Sequence, residues 1–383
     1  MSTAIEPNVE TAANEPEANK LFRMTMKYKG SDLHLKVGMP PSMRLAGVLR
    51  QMQLPVLTTP DMERLMYPIL TPRQLKILED EGGVDFAHII RDGDDETRFR
   101  VNLFKQRGRL SLVARRVNNK IPTFENLGLP PSLAEVTKHD QGIIILAGVT
   151  GSGKSTTIAS MLQYVNERER MHIVTLEDPI EYTFKDDKSI INQREIGIDV
   201  INWDIALKHA VRQDPDIILV GELRDRETFS AAMHAAETGH LVFGTIHAGS
   251  APSTISRLLD LFPREMHTPL RQSLAFNLKA VIAQKLLPTT KELADKGTTR
   301  VPTNEIMLMN PIIKKLILNE EDAKLGDAIR IGLGEGMQDF TESLRRLVTD
   351  EKIERATAFE VAPSPEALKM ALKGISINQP GIL

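Results

Sequence analysis

A glycine-rich segment in the middle of the chain has the spacing of a loop that binds nucleotide phosphates. Residues 148 to 155 read GVTGSGKS, which fits the pattern G-x-x-x-x-G-K-[ST]. The glycines allow successive backbone N–H groups to point at the β-phosphate, and the dipole of the helix that follows attracts the same negative charge. We expect Lys154 to reach the β- and γ-phosphates and the Ser155 hydroxyl to bind Mg²⁺.

Hydrolysis also needs carboxylates, and candidates follow two apolar segments. DIILVGE ends in Glu222, and TLEDPIE contains Glu177, Asp178 and Glu181. The carboxyl ends of parallel strands meet at one edge of a sheet, beside the phosphate loop. One acid at this edge can hold a metal ion and another can orient the attacking water. A single such acid is more often a surface residue, but two groups at equivalent strand ends favour a catalytic edge.

Histidine and arginine are further candidates for phosphate recognition. His247 follows the apolar segment HLVFGTI, so we expect it at the same edge as the acids, where it could sense a γ-phosphate. Two arginine pairs, Arg98 with Arg100 and Arg115 with Arg116, occur in strand-like segments nearer the N-terminus. They form either a solvated strand face or arginine fingers that stabilise transition-state charge on the ATP of a neighbouring subunit.

The apolar pattern changes along the chain and predicts two domains. Up to Val117, short alternating segments such as SDLHLKVG and RFRVNLF indicate a small α+β domain with an antiparallel sheet, and RDGDDE indicates a turn. Beyond it, GIIILA, HIVTLED, DIILVGE and HLVFGTI are almost continuously apolar, which is typical of parallel strands buried on both faces. After about residue 253 we expect helices, one of them over residues 269 to 287.

These patterns give an α/β fold class and four segments. The acidic, polar residues 1–20 are expected to be a disordered lead, and residues 21–117 the small α+β domain. Residues 118–131, rich in proline, glycine and asparagine, are expected to be a linker. Residues 132–383 are expected to be the α/β domain, with a helical C-terminal region.

Composition excludes several classes of function. The chain of 383 residues contains no cysteine, which rules out disulfides, thiolate catalysis and cysteine-ligated zinc. No stretch of about 18 apolar residues occurs and the N-terminus has no apolar signal core, so we expect a cytoplasmic protein. A net charge of −3 and an aromatic content of 4% argue against nucleic acid as a partner.

Six motifs occur in an order that resembles the secretion and pilus ATPases of bacteria, and among them the PilT-type ATPases of twitching motility, which retract type IV pili. The resemblance covers about Leu21 to Arg345. In chain order the motifs are SDLHLKVGMPPSMRLAG, RFRVNLF, the phosphate loop, TLEDPIE, DPDIILVGELRDRET and AAETGHLVFGTIHAGSA.

The resemblance implies a PAS-like N-terminal domain, a RecA-like ATPase core and a hexameric ring. It implies that Glu181 is the general base, Glu222 the Walker B acid and His247 the phosphate sensor, and that Arg100 and Arg115 are arginine fingers. It also implies ATP and Mg²⁺ as cofactors, with the metal held by the Ser155 hydroxyl and, through water, by Glu222. The residues expected to bind the nucleotide are Gly148, Thr150, Gly151, Ser152, Gly153, Lys154, Ser155 and Thr156.

The same resemblance implies partners and a place in the cell. A retraction ATPase would work on an inner-membrane platform protein of the pilus machine, at its cytoplasmic side, and could act beside a paralogous ATPase. Assembly and secretion ATPases usually carry an extra N-terminal domain and a four-cysteine zinc site. This chain has no cysteine and begins almost directly with the small α+β domain, which favours retraction.

Other functions remain open from the sequence. Residues 311 to 318, PIIKKLIL, keep the apolar spacing of a helix that carries arginines in retraction members, so an accessory role competes with retraction itself. A pilus-assembly or type II secretion ATPase is the alternative within the motor class. A nucleic-acid translocase and a regulator that binds ATP without hydrolysing it are the alternatives from other classes.

Overall fold

The computed structural model describes residues 15–92 and 95–375 and contains two compact units. One comprises Met1–Lys120 with Glu181–Thr183, and the other comprises Ile121–Ile180 with Phe184–Leu383. Each has its own hydrophobic core. Within the described ranges, no helix is both long enough and apolar enough to cross a bilayer.

The first unit is built on a six-stranded antiparallel sheet with strand order β3-β2-β1-β6-β5-β4. Its strands are β1 (Asp32–Lys36), β2 (Ser42–Leu45), β3 (Val48–Gln51), β4 (Gly83–Asp92), β5 (Asp95–Gln106) and β6 (Arg109–Arg116). Alternate residues such as Leu33, Leu35 and Val101 face the core, as the period-two pattern predicts.

Three helices cover the core of this sheet: α1 (Asn19–Lys27), α2 (Thr59–Met66) and α3 (Pro72–Glu81). Thr58 and Thr71 close capping boxes at the starts of α2 and α3, and a proline occupies one of the first two positions of each helix, where no N–H donor is needed. Pro72 therefore begins a helix. The expected disordered lead is wrong at its last residues, because Asn19 and Lys20 lie in α1, where the helix buries its apolar face. Its first 14 residues, and Gly93 and Asp94 of the expected turn, lie outside the described residues.

The second unit is built on a seven-stranded sheet with strand order β13-β12-β7-β11-β10-β8-β9. Its strands are β7 (Gly142–Ala147), β8 (His172–Glu177), β9 (Ile190–Glu195), β10 (Ile217–Val220), β11 (Leu241–Ile246), β12 (Leu278–Pro288) and β13 (Arg300–Leu308). All neighbouring pairs are parallel except β12 with β13. Ile143 and Ile145 enter one apolar cluster and Ile144 and Leu146 another, so β7 is buried on both faces.

Helices flank this sheet and continue to the C-terminal region. They are α4 (Phe124–Leu127), α5 (Ser132–Val136), α6 (Lys154–Asn166), α7 (Trp203–Ala210), α8 (Arg226–Glu237), α9 (Ala251–Leu259), α10 (His267–Asn277), α11 (Lys291–Asp295), α12 (Pro311–Leu318), α13 (Leu325–Ile331), α14 (Phe340–Thr349), α15 (Arg355–Val361) and α16 (Pro365–Ala371). The short α4 lies inside the segment expected to be a linker, where Thr123 closes a capping box.

The expected helix over residues 269 to 287 is wrong in its second half. Helix α10 ends at Asn277, and the chain continues directly as strand β12. The apolar segment from Leu278 to Leu287 fits either structure by its pattern alone. Pairing with β7 on one side and β13 on the other decides for the strand, because both neighbours supply backbone hydrogen bonds. The sheet therefore gains a hairpin beside the strand that carries the phosphate loop.

Candidate active site

The phosphate loop connects the end of β7 to the start of α6, with Gly153 as the N-terminal cap of the helix at φ 87°. Gly148 is required by a close approach, since a Cβ there would lie 2.4 Å from the Ser152 hydroxyl oxygen and 2.6 Å from the carbonyl oxygen of Gln284. Gly151, at φ 78°, has open space around it, so its backbone conformation alone favours glycine. The loop thus has the strand–loop–helix setting that its motif requires.

Lys154 lies against its own loop. Its Nζ atom donates hydrogen bonds to the carbonyl oxygens of Gly148, at 2.8 Å, and Val149, at 3.2 Å. The ammonium group is therefore held at the loop whose N–H groups would receive a phosphate. Ser155 and Thr156 follow in the first turn of α6 and are partly exposed.

Glu222 and His247 meet at the carboxyl edge of the same sheet. Glu222 lies two residues beyond β10 and His247 directly follows β11, and these strands are neighbours. The Nε2 atom of His247 is 3.4 Å from a carboxylate oxygen of Glu222, with the two side chains 47% and 41% exposed. Strand β11 also pairs with β7, so His247 follows the strand next to the one that ends in the phosphate loop, and Glu222 follows the strand after that. An acid and a histidine open to solvent at this edge can contact a ligand.

The acids of TLEDPIE separate into a buried one and an exposed one. Glu177 ends β8 and is buried, and its carboxylate accepts hydrogen bonds from the Thr175 hydroxyl at 2.7 Å and the Gln193 amide at 3.2 Å. Glu181 is exposed and belongs to the first unit, next to Tyr182, which forms a β-bridge with Asn118. Glu177 therefore helps to hold the strand end, whereas the Glu181 carboxylate is open to solvent.

The arginines expected as fingers are part of a row across the sheet of the first unit. Arg100 on β5 stands directly opposite Arg115 on β6, Arg115 opposite Asp32 on β1, and Asp32 opposite Arg44 on β2. We call these four residues the arginine row. Sequence reasoning missed Asp32 and Arg44, although both lie in the motif SDLHLKVGMPPSMRLAG, because strand register is not visible in the sequence.

Asp32 holds the row together. A carboxylate oxygen accepts a hydrogen bond from Arg115 Nε at 2.8 Å, and the other oxygen lies 3.7 Å from Arg44 Nε. The Asp32 side chain is 5% exposed, whereas that of Arg115 is 69% exposed. Burial raises the pKa of Asp32, but hydrogen bonds from Ser31 and Arg115 outweigh it, so the pKa lies below its usual value. The acid is charged and buried, and the guanidinium groups reach solvent.

A cavity of about 490 Å³ lies next to the phosphate loop within the second unit. Gly153, Thr156 and Thr157 form one wall, and the β12–β13 hairpin contributes others, among them Leu286 and Arg300. This volume is in the range of about 300–1,000 Å³ that is usual for small-molecule sites. The sequence pattern did not predict this cavity, because the hairpin that lines it was expected to be helical.

The chain is similar to known proteins over most of its length. The sequence profile of the family described as "Type II/IV secretion system protein" matches residues 8–356. The chain belongs to this family. It is 41% identical over 350 residues to the type IV pilus retraction ATPase PilT of Pseudomonas aeruginosa, covering 91% of this chain and 99% of that protein. It is also 35% identical over 357 residues to the type IV pilus ATPase PilU of the same organism, covering 93% and 91%.

Solved structures agree with this assignment. The crystal structure of the pilus retraction motor PilT with bound ADP superposes with a TM-score of 0.82 at 39% identity, covering 92% of this chain and 98% of that one. The Legionella pneumophila ATPase DotB gives a TM-score of 0.70 at 24% identity, which supports the fold alone. The predicted family and the predicted α/β fold, a RecA-like ATPase core with a smaller N-terminal domain, are confirmed.

Proposed function

We propose that this chain is an ATP-hydrolysing motor that drives retraction of type IV pili. The observation that carries the proposal is the 41% identity to PilT over almost the whole length of both proteins. The predicted enzyme class, an ATPase, is supported by the same relative and by the ADP-bound PilT structure. The site of this chain has the parts that ATP hydrolysis needs: a phosphate loop with its lysine, and an acid and a histidine at the adjacent sheet edge.

The nucleotide is bound by the second unit. Its phosphates lie on the loop from Gly148 to Thr156, and its nucleoside occupies the cavity beside Gly153 and Thr157. The oxygen donors fit Mg²⁺, because the Ser155 hydroxyl lies in the first turn of α6 and the Glu222 carboxylate is partly exposed. The Ser155 hydroxyl would hold Mg²⁺ directly and Glu222 would hold it through water, and the bound metal would supply charge compensation for the phosphates.

Hydrolysis transfers the γ-phosphoryl group to water. The water oxygen forms a bond to the γ-phosphorus, and the bond from that phosphorus to the β,γ-bridging oxygen breaks, which leaves ADP and phosphate. Glu181 takes the proton of the water as general base, and His247 senses the γ-phosphate. Lys154 compensates charge on the phosphates.

The arginine row completes the site in a hexamer. Arg100 and Arg115 act as arginine fingers on the ATP of a neighbouring subunit, as the solvent exposure of both side chains and their pairing across the sheet allow. The ring docks at the cytoplasmic side of the inner membrane on the platform protein of the pilus machine. The similarity to both PilT and PilU is compatible with a paralogous ATPase as a further partner.

Deletion of the gene tests the direction of movement. A strain that lacks the protein should carry excess pili that do not retract, and its twitching zones should shrink. Complementation with the wild type should restore twitching, and complementation with the Glu222→Gln variant should not. Loss of surface pili in the deletion strain would contradict retraction and support the assembly alternative. A normal number of pili, together with twitching that fails only under load, would support the accessory role.

A further inference from the structure

We propose that Gln284 is a positioning residue that fixes the phosphate loop in its nucleotide-binding conformation. Gln284 lies in the middle of β12, is 2% exposed, and uses both ends of its amide. Its Nε2 atom donates a hydrogen bond to the carbonyl oxygen of Ser152 at 2.7 Å. Its Oε1 atom accepts hydrogen bonds from the Thr157 hydroxyl at 2.8 Å and from Asn304 Nδ2 at 2.8 Å. One side chain thus contacts the end of the loop and the first turns of α6.

The bond to Ser152 controls the direction of a phosphate-binding donor. In a planar trans peptide the C=O and N–H groups point in opposite directions. Holding the Ser152 carbonyl against Gln284 therefore turns the N–H of Gly153 away from β12, towards the open side of the loop. Successive N–H groups on that side are what a phosphate loop offers to its ligand. Without the amide of Gln284, this peptide can rotate and the donor loses its direction.

The glycines of the loop also fit against Gln284. A Cβ at Gly153 would lie 2.8 Å from Gln284 Nε2, and a Cβ at Gly148 would lie 2.6 Å from the Gln284 carbonyl oxygen. The loop is therefore packed against this one residue at both its ends. Glycine at these two positions permits the contact with β12 in addition to the approach of a phosphate.

The amide of Gln284 is the inner end of a buried polar network. Asn304, on β13, binds Gln284 with its side chain, and its backbone carbonyl accepts a hydrogen bond from Gln338 Nε2 at 3.0 Å. The backbone N–H of Asn304 donates to the Ser343 hydroxyl of α14 at 3.1 Å. All four side chains are buried. Ser343 and Gln338 bond only the backbone of Asn304, which pairing with β12 also holds, so the Asn304 side chain is the member of the network that directly orients the Gln284 amide.

Nucleotide affinity tests this role, which rests on the proposed ATPase function. We expect Gln284→Leu to raise the Kd of Mg²⁺-ADP by about 10- to 100-fold, because the Ser152 carbonyl and the Thr157 hydroxyl lose a buried partner. The matched control is Ser343→Ala, at the outer end of the same network. It should lower the melting temperature as well, but leave the Kd of ADP near that of the wild type. Isothermal titration calorimetry on the full chain measures the Kd of ADP for each variant. Thermal unfolding measures the melting temperatures.

The Gln284→Glu variant separates positioning from simple packing. Its carboxylate has nearly the shape of the amide but offers no donor to the Ser152 carbonyl while it is ionised. We expect the ADP affinity relative to the wild type to fall as the pH rises from about 5.5 to about 9.5, because a buried carboxyl has a raised pKa, donates to the Ser152 carbonyl while protonated and loses this donor when ionised. Thermal unfolding of the ADP-free variant at each pH separates the two roles, because a purely structural role predicts a loss of affinity only where the melting temperature falls with it.

The outcomes distinguish this inference from the function on which it rests. Failure of the wild type to bind ADP would contradict the proposed ATPase. Binding by the wild type with an unchanged Kd in Gln284→Leu would contradict only the role of Gln284. Equal losses of affinity in Gln284→Leu and Ser343→Ala would also overturn it, since the whole network would then act as a structural support. If Gln284→Leu does not fold, Gln284→Glu decides the question. A Kd of ADP equal to that of the wild type at every pH measured would overturn the proposal.

Discussion

The phosphate loop and the arginine row are held in place by different kinds of interaction. The loop is fixed by a neutral, buried group, the amide of Gln284, which in turn accepts a hydrogen bond from the hydroxyl of Thr157. The arginine row is fixed by one buried charge, the carboxylate of Asp32, beneath exposed guanidinium groups. Because the groups that fix the loop are neutral, they do not compensate the positive charge of Lys154. The ionic row, in contrast, needs a carboxylate because two arginines directly opposite each other repel.

This difference indicates which kind of ligand each region can bind. The loop lies beside a cavity in its own unit, so its ligand can be bound within that unit. The row combines three guanidinium groups with one carboxylate, which leaves two positive charges uncompensated inside the row itself. These charges face solvent on a rigid sheet. Such an arrangement is suited to an anion that comes from elsewhere, which is the property that an arginine finger requires.

Loss of the loop lysine should have the largest effect. We expect Lys154→Ala to reduce ATP turnover below detection, because charge on the β- and γ-phosphates goes uncompensated and the Gly148 and Val149 carbonyls lose their donor. Phosphate release by the purified chain measures this. Lys138→Ala, which removes an exposed lysine of the same unit, is the control. Near-normal turnover in Lys154→Ala would refute the assignment of the loop.

Loss of one exposed arginine should affect catalysis without affecting binding. We expect Arg115→Ala to lower kcat by about 10³-fold or more, with little change in the Kd of ADP, because a finger acts on transition-state charge. Arg109→Ala is the control, since Arg109 is an exposed arginine on the same strand, β6. An unchanged kcat in Arg115→Ala would leave the row with only a structural role.

Mixed rings sharpen this prediction. Arg115→Ala and Lys154→Ala subunits are each inactive, but a mixture contains some interfaces with an intact loop and an intact arginine. If the arginines act between subunits, activity should partly return on mixing. Native mass spectrometry must show that the rings are mixed. Mixed rings that stay inactive would mean that each arginine serves the loop of its own chain.

Loss of the exposed acid should stop the chemistry and spare the binding. We expect Glu181→Gln to lower kcat by about 10²- to 10⁴-fold and to keep the affinity for ATP, because only the group that accepts the proton of the water is changed. Single-turnover hydrolysis and nucleotide titration together give both values. Glu227→Gln, an exposed acid at the start of α8, is the control. A parallel loss of affinity would show that Glu181 has a structural role.

Loss of the buried acid in the row should have a smaller effect. We expect Asp32→Asn to lower kcat by about tenfold, because Arg115 keeps a hydrogen-bond acceptor but loses the charge that orients it. Steady-state kinetics with ATP and ADP titration measure the change. An Asp32→Asn variant with the kcat of the wild type would show that the row does not depend on its carboxylate. The contrast between the two regions would then disappear.

The sequence predicted the parts of the site that depend on local order. The phosphate loop follows from eight consecutive residues, and the positions of Glu222 and His247 follow from apolar segments that end directly before them. These features hold because strand ends and loop chemistry are local properties. The roles of individual residues, such as Glu181 as a base, remain predictions that the experiments above address.

The sequence did not predict features that depend on how distant segments pair. Gln284 lies in the segment expected to be the second half of a helix over residues 269 to 287, and only the pairing of this segment with β7 and β13 makes it a strand. Asp32, Arg44 and Arg115 come from three separate strands whose register is set by the packing of the sheet. Both the inner support of the loop and the order of the row are therefore tertiary properties.

The two units should also differ in their response to acid. Burial lowers the pKa of His88, in the first unit, to about 4, so the folded state binds fewer protons than the unfolded state below the ordinary value of about 6.5. The contribution of His88 to the stability of the first unit is therefore fully present above pH 6.5, and it is lost as the pH falls towards 4. Burial raises the pKa of Glu305 and of Asp339 in the second unit, which gives the opposite sign, with stability lost as the pH rises through their raised values.

Regional hydrogen exchange of the intact chain, corrected for intrinsic exchange rates, measures this last and smallest difference. Between pH 7.5 and pH 5, we expect the free energy of opening of β4 and β5 to fall by roughly 2 kcal/mol, which is the cost of keeping His88 neutral about 1.5 pH units below its ordinary pKa. Over the same range, the free energy of opening of β13 and α14 should stay constant or rise. His88→Gln is the matched variant, because its amide can still donate to Asn19 Oδ1, which lies 2.7 Å from His88 Nε2, yet it does not titrate. It should remove most of the acid sensitivity of the first unit. Equal losses of protection in both units, unaffected by His88→Gln, would show that the two units do not differ in the way their buried charges imply.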